Sequence, residues 1–201
     1  MEKKELSPQE ILLDLKKELA VSVKNRHHGF HTPVFSNLDK KFNIQNRIVV
    51  IRSFDSESFS INFHTDIRSS KIPEIERNNR TSFLFYDSKI KIQLKIRSES
   101  IIHHNNEICL SAWKRTKLAS RKCYLTTKPP SSKSKLPTDA IPVKLKGIDP
   151  NEKESQAGYK NFTVIENKIE KIEWLKLSYS GHRRLLINLN DKSNIYQWLI
   201  P

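Results

Sequence analysis

Glycine is scarce in this chain, with Gly29, Gly147, Gly158 and Gly181 the only four among 201 residues. None stands in a G-x-G-x-x-G or G-x-x-x-x-G-K arrangement, so the glycine-rich loops that cradle a dinucleotide or nucleoside triphosphate are excluded. Cysteine is scarcer still. Cys109 and Cys123 show neither a disulfide framework nor metal-ligand spacing, which fits a reducing compartment. Long apolar runs are missing as well: no stretch approaches the roughly 20 residues of a membrane span, and the opening MEKKELSPQE has no apolar signal region. A soluble, cytoplasmic protein with no membrane partner is expected. Acidic residues are in deficit, 22 against 36 Lys and Arg, leaving a net charge of +14. Such a balance suits a polyanion, yet the lysines are spread along the chain and no aromatic platform for RNA accompanies them. Nucleic acid is therefore not the expected partner.

A chain of 201 residues can bury roughly 70% of its unfolded surface, and one domain over residues 1–201 is expected. Ser7-Pro8-Gln9-Glu10 supplies a capping hydroxyl, a proline for the first turn and a glutamate three residues after the cap. Ile11, Leu12, Leu15, Leu19 and Val23 follow at helical spacing and predict a helix within residues 1–25. After residue 32 the period changes. Phe59, Ile61 and Phe63, then Ile90, Ile92, Leu94 and Ile96, alternate with polar residues as half-buried strands do. Arg47 to Phe54 and Thr81 to Tyr86 read as shorter inner strands, and strands are also expected over 161–165, 168–177 and 183–189, with Glu166-Asn167 as a tight turn. A short helix is predicted within 69–79 and another helical stretch within 106–120. Residues 126–158, rich in proline and lysine, predict a long irregular loop.

Chemistry concentrates in the turn from Thr65 to Lys71, where Thr65, Arg68, Ser69 and Lys71 meet a strand-to-helix junction. Hydroxyls and cations in that grouping can hold a phosphate dianion. The adjacent pairs His27-His28 and His103-His104 point apart on a strand and lack completing ligands, so no metal is expected. No G-x-S-x-G turn supports a serine nucleophile.

Residues 47 to 97, taken together, resemble the pyridoxamine 5'-phosphate oxidase family of FMN-binding split barrels. The family's T-x-x-x-S-R-K loop is matched by Thr65, Ser69 and Lys71, with the arginine moved to Arg68 and Ser70 in its place. Arg47-Ile48-Val49-Val50 and Arg52 resemble its R-x-V-L-L-K strand, and Gln93 the glutamine of its R-Q-V-R strand. Trp174 and Arg184 match its W-x(9)-R spacing, and Trp198 to Pro201 its R-L-A-P ending, although Trp198 itself is expected in the core. Arg47 and Arg52, five apart, share a face only if their strand twists or bulges.

The resemblance covers roughly residues 34–201. It implies a mainly β, antiparallel FMN-binding split β-barrel with peripheral helices, with the active site at a homodimer interface. FMN would be the cofactor, contacted by Arg47, Ile48, Val49, Val50, Arg52, His64, Thr65, Arg68, Ser69, Lys71, Gln93, Trp174 and Arg184. The family's substrate-gripping Y-x-x-x-R corresponds here to Trp113 and Lys117, with Arg121 following, and its arginine before His182 is replaced by Ser180. The expected function is an FMN-dependent oxidoreductase with an altered pocket for a small molecule. The alternative is a split barrel that holds flavin or haem without turnover.

Overall fold

The structure is a computed structural model that describes residues 6–190 and 193–201. Helix α1 spans Pro8–Lys24. It begins as the sequence predicts: the Glu10 N–H donates to Ser7 Oγ at 3.2 Å, and the Ser7 N–H donates to the Glu10 carboxylate at 2.7 Å. This reciprocal cap satisfies two of the donors a helix start leaves open. Ile11, Leu12, Leu15 and Leu19 then bury one stripe against the sheet.

Nine strands form that sheet, all paired antiparallel: β1 (Val34–Leu38), β2 (Ile44–Ile48), β3 (Ile51–Asp55), β4 (Ser60–Asp66), β5 (Arg80–Asp87), β6 (Ile92–His104), β7 (Phe162–Lys176), β8 (Arg183–Asn188) and β9 (Ile195–Leu199). The order is β2-β1-β5-β6-β7-β4-β3, and β8 and β9 extend from β7. Edge strands β2 and β3 do not pair with each other, so the sheet curls without closing. Its concave face carries Phe35, Phe63, Phe83 and Phe85, whose rings meet edge-on or tilted at centroid distances of 4.9 to 6.4 Å. Helix α2 (Lys71–Arg77) connects β4 to β5, while α3 (Glu107–Arg115) and α4 (Leu118–Arg121) follow β6. A second cluster, Cys109, Ala112, Trp113, Phe162 and Val164, seats α3 on β7. No helix among the described residues is long and apolar enough to cross a membrane.

Several boundaries differ from the sequence reading, each for a physical reason. The run from Arg47 to Phe54 is two strands separated at Val49-Val50, where the Val49 N–H donates to Pro33 O and the Ile51 N–H to His31 O. The extended segment preceding β1 thus takes over the pairing at the sheet's opening. Lys91, expected in a strand, has a positive φ of 52° and lies in the turn before β6. Glu166-Asn167 is not a turn but the middle of β7. Asn167 is fully buried, accepting from Ser100 Oγ at 2.7 Å and donating to Ile61 O at 2.8 Å, so a residue typical of turns here ties β7 to both neighbouring strands. Trp198, expected in the core, is 48% exposed on the edge strand β9. Residues 126–158 hold a 3-10 turn at Val143–Leu145 and the short helix α5 (Glu152–Ser155), which Asn151 caps.

Gly29 is required by close approach. A Cβ there would stand 2.6 Å from Asp87 Cα, and the Gly29 N–H donates to the Asp87 carboxylate at 2.9 Å. Replacing Asn167 with alanine would remove a donor from the Ile61 carbonyl and leave the Ser100 hydroxyl with Thr81 Oγ1 alone. The expected cost is about 2 to 4 kcal/mol in unfolding free energy, against about 1 kcal/mol for Ser7→Ala at the helix cap, both measured by urea denaturation.

Candidate functional site

The end of β4 and the start of α2 bring Thr65, Ser69 and Lys71 together. Lys71 Nζ donates to Thr65 Oγ1 at 2.8 Å and to Ser69 Oγ at 2.7 Å. An ammonium has three donors, so one remains, and each hydroxyl keeps its own O–H to offer. Thr65 and Lys71 line a pocket of about 280 Å³ together with Arg47, Ile48, Val49, Val50, Arg52, Phe63, His64 and Tyr124. The break between β2 and β3 is what lets Arg47 and Arg52 reach one pocket despite their odd separation. Arg47 donates to Asn37 Oδ1 and stands 3.8 Å from the Glu74 carboxylate, which in turn accepts from Asn37 Nδ2 at 2.8 Å.

Burial, and then the neighbouring Arg47, push the Lys71 ammonium down to about 8, against the opposing pull of Asp66 and Glu74. Two cations and a ring of hydroxyl donors therefore converge with incomplete local compensation. This donor set fits a phosphate dianion.

Arg68 stands apart from the Lys71 cluster. It donates to Asp66 at 2.9 and 2.6 Å and to the carbonyl and hydroxyl of Thr126 at 3.1 and 2.9 Å. The shifted arginine of the T-D-x-R-S-x-K loop thus anchors the first residue of the long 126–158 segment, and Ser70 is an exposed helix-start residue.

Gln93 and Arg184 lie on the outer, convex face of the sheet. Gln93 is opposite Leu175 on β7, which is opposite Arg184 on β8, so the two polar residues flank one strand. Arg184 and Lys95 both reach the Glu173 carboxylate, at 3.1 and 3.2 Å. Neither Gln93 nor Arg184 lines the Lys71 pocket. Trp174 pairs in register with Leu94 and Leu185 and is only 6% exposed in the concave core. Because Arg184 pairs with residue 175 rather than 174, pleat alternation sends tryptophan and arginine to opposite faces.

Two residues expected near a substrate are instead internal supports. Trp113 is 1% exposed, and its indole N–H donates to Gln156 Oε1 at 3.2 Å. Arg121 is 4% exposed, lies 5.0 Å over the Trp113 ring, and donates to Thr116 O, Lys114 O, Ser155 Oγ and Glu152. A guanidinium so fully engaged holds α4 against α5. His182 accepts from the Ser178 N–H at 3.1 Å in the turn between β7 and β8. Lys117 alone of these four reaches a cavity, a second one of about 670 Å³ that shares Val50, Arg52 and His64 with the Lys71 pocket.

Sequence reasoning missed Tyr124, whose hydroxyl burial pushes up and whose ring packs on Trp113 and Phe162. It also missed Asn37 and Glu74, which hold Arg47. These come from elements outside the motif, and only their placement reveals them. Among the described residues no group of three or more His, Cys, Asp or Glu converges; His103 pairs with Glu166 and His28 with Glu18.

Residues 14–104 match the family model "pyridoxamine 5'-phosphate oxidase, FMN-binding domain". That segment contains the Lys71 pocket apart from Tyr124. The fold is also that of a pyridoxamine 5'-phosphate oxidase-related, FMN binding protein from Nostoc punctiforme, with a TM-score of 0.74 at 15% identity, over 98% of this chain and 100% of that one. PhzG from Burkholderia lata, crystallised with tetrahydrophenazine-1-carboxylic acid, gives 0.71 at 16% identity over 98% of both chains. No curated protein matches the sequence. At these identities the likeness to solved structures is one of fold.

His64, on the wall common to both cavities, is pushed down to about 3, first by burial and then by Arg52 and Arg115. Its ring stays neutral at physiological pH. The unfolded chain takes up the His64 proton near pH 6.5 and the folded one only near 3, so between these values the unfolded state binds more protons. Stability is expected to fall as pH drops from 6.5 towards 3. His64→Gln should lose less stability than the wild type over that interval in thermal melts; parallel losses would show that His64 titrates normally.

Proposed function

We propose that this protein binds FMN and acts as a flavin-dependent oxidase or reductase on a small molecule other than pyridoxamine 5'-phosphate. The observation that carries the reading is the Lys71 cluster, a phosphate-type donor set within the segment that matches the FMN-binding family. Thr65, Ser69 and Lys71 would hold the cofactor phosphate, aided by Arg47. The backbone of residues 48–50 and the side chains of Arg52 and His64 border the same pocket. When bound, the flavin ring supplies the two-electron chemistry, and no protein nucleophile is needed.

The chain's own residues then position and tune. Asn37 and Glu74 fix the Arg47 guanidinium, so its charge is presented without a search through rotamers. Arg68 ties the 126–158 segment to the floor of β4. His64, neutral, offers a hydrogen bond without adding a fourth charge beside Lys71, Arg47 and Arg52.

The account includes a homodimer. Gln93 and Arg184 are the remaining flavin-contacting candidates and sit on the convex face, where Ile48, Leu84 and Tyr86 expose 70%, 42% and 49% of their surface. Apolar residues in register on one sheet face suit a second copy of the chain, which would bring its Gln93 and Arg184 to the first copy's phosphate cradle. The oxidase's substrate grip is altered: Trp113 and Arg121 are internal, Lys117 stands where the family has arginine, and Ser180 replaces another.

Lys71→Ala should weaken FMN by about 10- to 100-fold while changing riboflavin affinity little, because a charge-assisted hydrogen bond is worth on the order of 1.5 to 3 kcal/mol. FMN affinity should fall as pH rises through about 8, where free Lys71 loses its proton, and also below about 6, where the phosphate gains one. Fluorescence titration checks both; equal losses for the two flavins would remove the phosphate role. With pyridoxamine 5'-phosphate under air, FMN-loaded protein should form pyridoxal phosphate about a hundredfold or more slowly than a dedicated oxidase, for want of the arginine contact. Comparable turnover would contradict the altered pocket.

A further inference from the structure

No arginine of the turn from Thr65 to Lys71 reaches the Lys71 pocket. Arg68 is engaged by Asp66 and Thr126, and the turn lines the pocket with Thr65 and Lys71 alone. Another part of the wall comes from a distant place in the chain. Tyr124 belongs to the 3-10 turn Lys122–Leu125 after α4, outside the matched segment 14–104 and outside every motif of the resemblance, yet it borders the same space.

Tyr124 is held at its ring and its backbone. The ring meets Trp113 and Phe162 edge-on at centroid distances of 5.8 and 5.0 Å, and the Tyr124 carbonyl accepts from Asn161 Nδ2 at 2.8 Å. Gly158 lies so close that a Cβ there would stand 3.2 Å from Tyr124 Cβ. Two residues further on, Arg68 grips Thr126 through both its carbonyl and its hydroxyl, at 3.1 and 2.9 Å. An aromatic fastened on so many sides has little freedom to swing away.

The hydroxyl is the exception. It makes no hydrogen bond to any described residue, although a tyrosine drawn into the interior usually finds a partner for its O–H. Burial raises its pKa, with Cys123 and Asp66 adding to the rise against the pull of Arg52, so it stays protonated and remains a donor at physiological pH. Asp66 follows Thr65 at the cradle and Arg52 lines the pocket, so these two electrostatic neighbours put the hydroxyl end of the ring on the cradle side.

We propose that the Tyr124 hydroxyl donates to the anionic group held by Thr65, Ser69 and Lys71, and that Arg68 is the positioning residue that keeps it there through Thr126. The turn's arginine thus acts on the ligand indirectly, by fastening the segment that carries the donor. A neutral phenol adds a hydrogen bond without adding to the repulsion among Lys71, Arg47 and Arg52. That the anion is the FMN phosphate rests on the flavin reading. Because the 126–158 segment begins at this clamp, the grip on the ligand depends on how firmly that segment is fastened.

Tyr124→Phe keeps the ring and removes only the hydroxyl, and Arg68→Lys keeps a cation beside Asp66 but cannot span the carbonyl and hydroxyl of Thr126. FMN and riboflavin are titrated by flavin fluorescence against each variant, the double variant and the wild type. Tyr124→Phe should weaken FMN about tenfold and leave riboflavin within about twofold. Arg68→Lys should show the same selectivity, with a loss of about threefold to tenfold for FMN, and the double variant should bind FMN no more weakly than Tyr124→Phe alone, because both changes remove one donor. Equal losses for the two flavins in Tyr124→Phe would overturn the proposal, since the hydroxyl would then serve the pocket's shape. Losses that multiply in the double variant would overturn it too, by showing that Arg68 acts without Tyr124. If Tyr124→Phe binds FMN as the wild type does while Lys71→Ala loses FMN and keeps riboflavin, this proposal falls and the flavin reading stands. Wild-type protein that takes up neither flavin ends both.

Discussion

The pairing of β7 with three other strands is the constraint on which the rest of the structure depends. Its first half lies between β6 and β4 and its second half between β6 and β8, so one continuous strand joins the curled part of the sheet to the β8–β9 extension. Asn167 locks the changeover, with Ser100 on one side and Ile61 on the other. Because side chains alternate strictly along a strand, fixing this register fixes which residues can ever meet. It sends Trp174 to the concave core and Gln93 and Arg184 to the convex face, and it aligns the end of β4 so that Thr65 approaches Lys71.

A second constraint is electrostatic. The chain has 14 more cationic than anionic side chains, and its carboxylates are spent on particular arginines. Glu74, Asp66, Glu152 and Glu173 each neutralise a guanidinium that would otherwise be costly to bury. Lys71 with Arg47, and Arg52 with Arg115, border two adjoining cavities. Burial first, and the neighbouring arginines second, depress Lys71 and His64.

Much of this was legible in the sequence. Capping at Ser7 and Glu10, the alternation in β4 and β6, and the Thr65-to-Lys71 turn are local signals, and local signals survive without knowledge of the fold. The failures were long-range. Asn167 has the composition of a turn residue, and only its partners on β4 and β6 make it a strand centre. Trp113 and Arg121 occupy spacings that suggest a substrate grip, yet they stack on each other beneath α4. Arg115 and Arg26 carry no motif at all, and only the fold brings the end of α1 and the α3–α4 corner to the walls of one cavity.

In the proposed dimer the flavin site is divided between two copies of the chain, with Lys71 supplied by one and Arg184 by the other. Subunit mixing tests it most directly. Lys71→Ala and Arg184→Ala proteins, each impaired in FMN binding, are unfolded together, refolded and assayed for tightly bound flavin. A shared site predicts that each mixed dimer regains one intact site, so the mixture binds FMN well beyond the average of the two variants. A mixture that binds no more than that average would place both residues' effects within single chains and contradict the account.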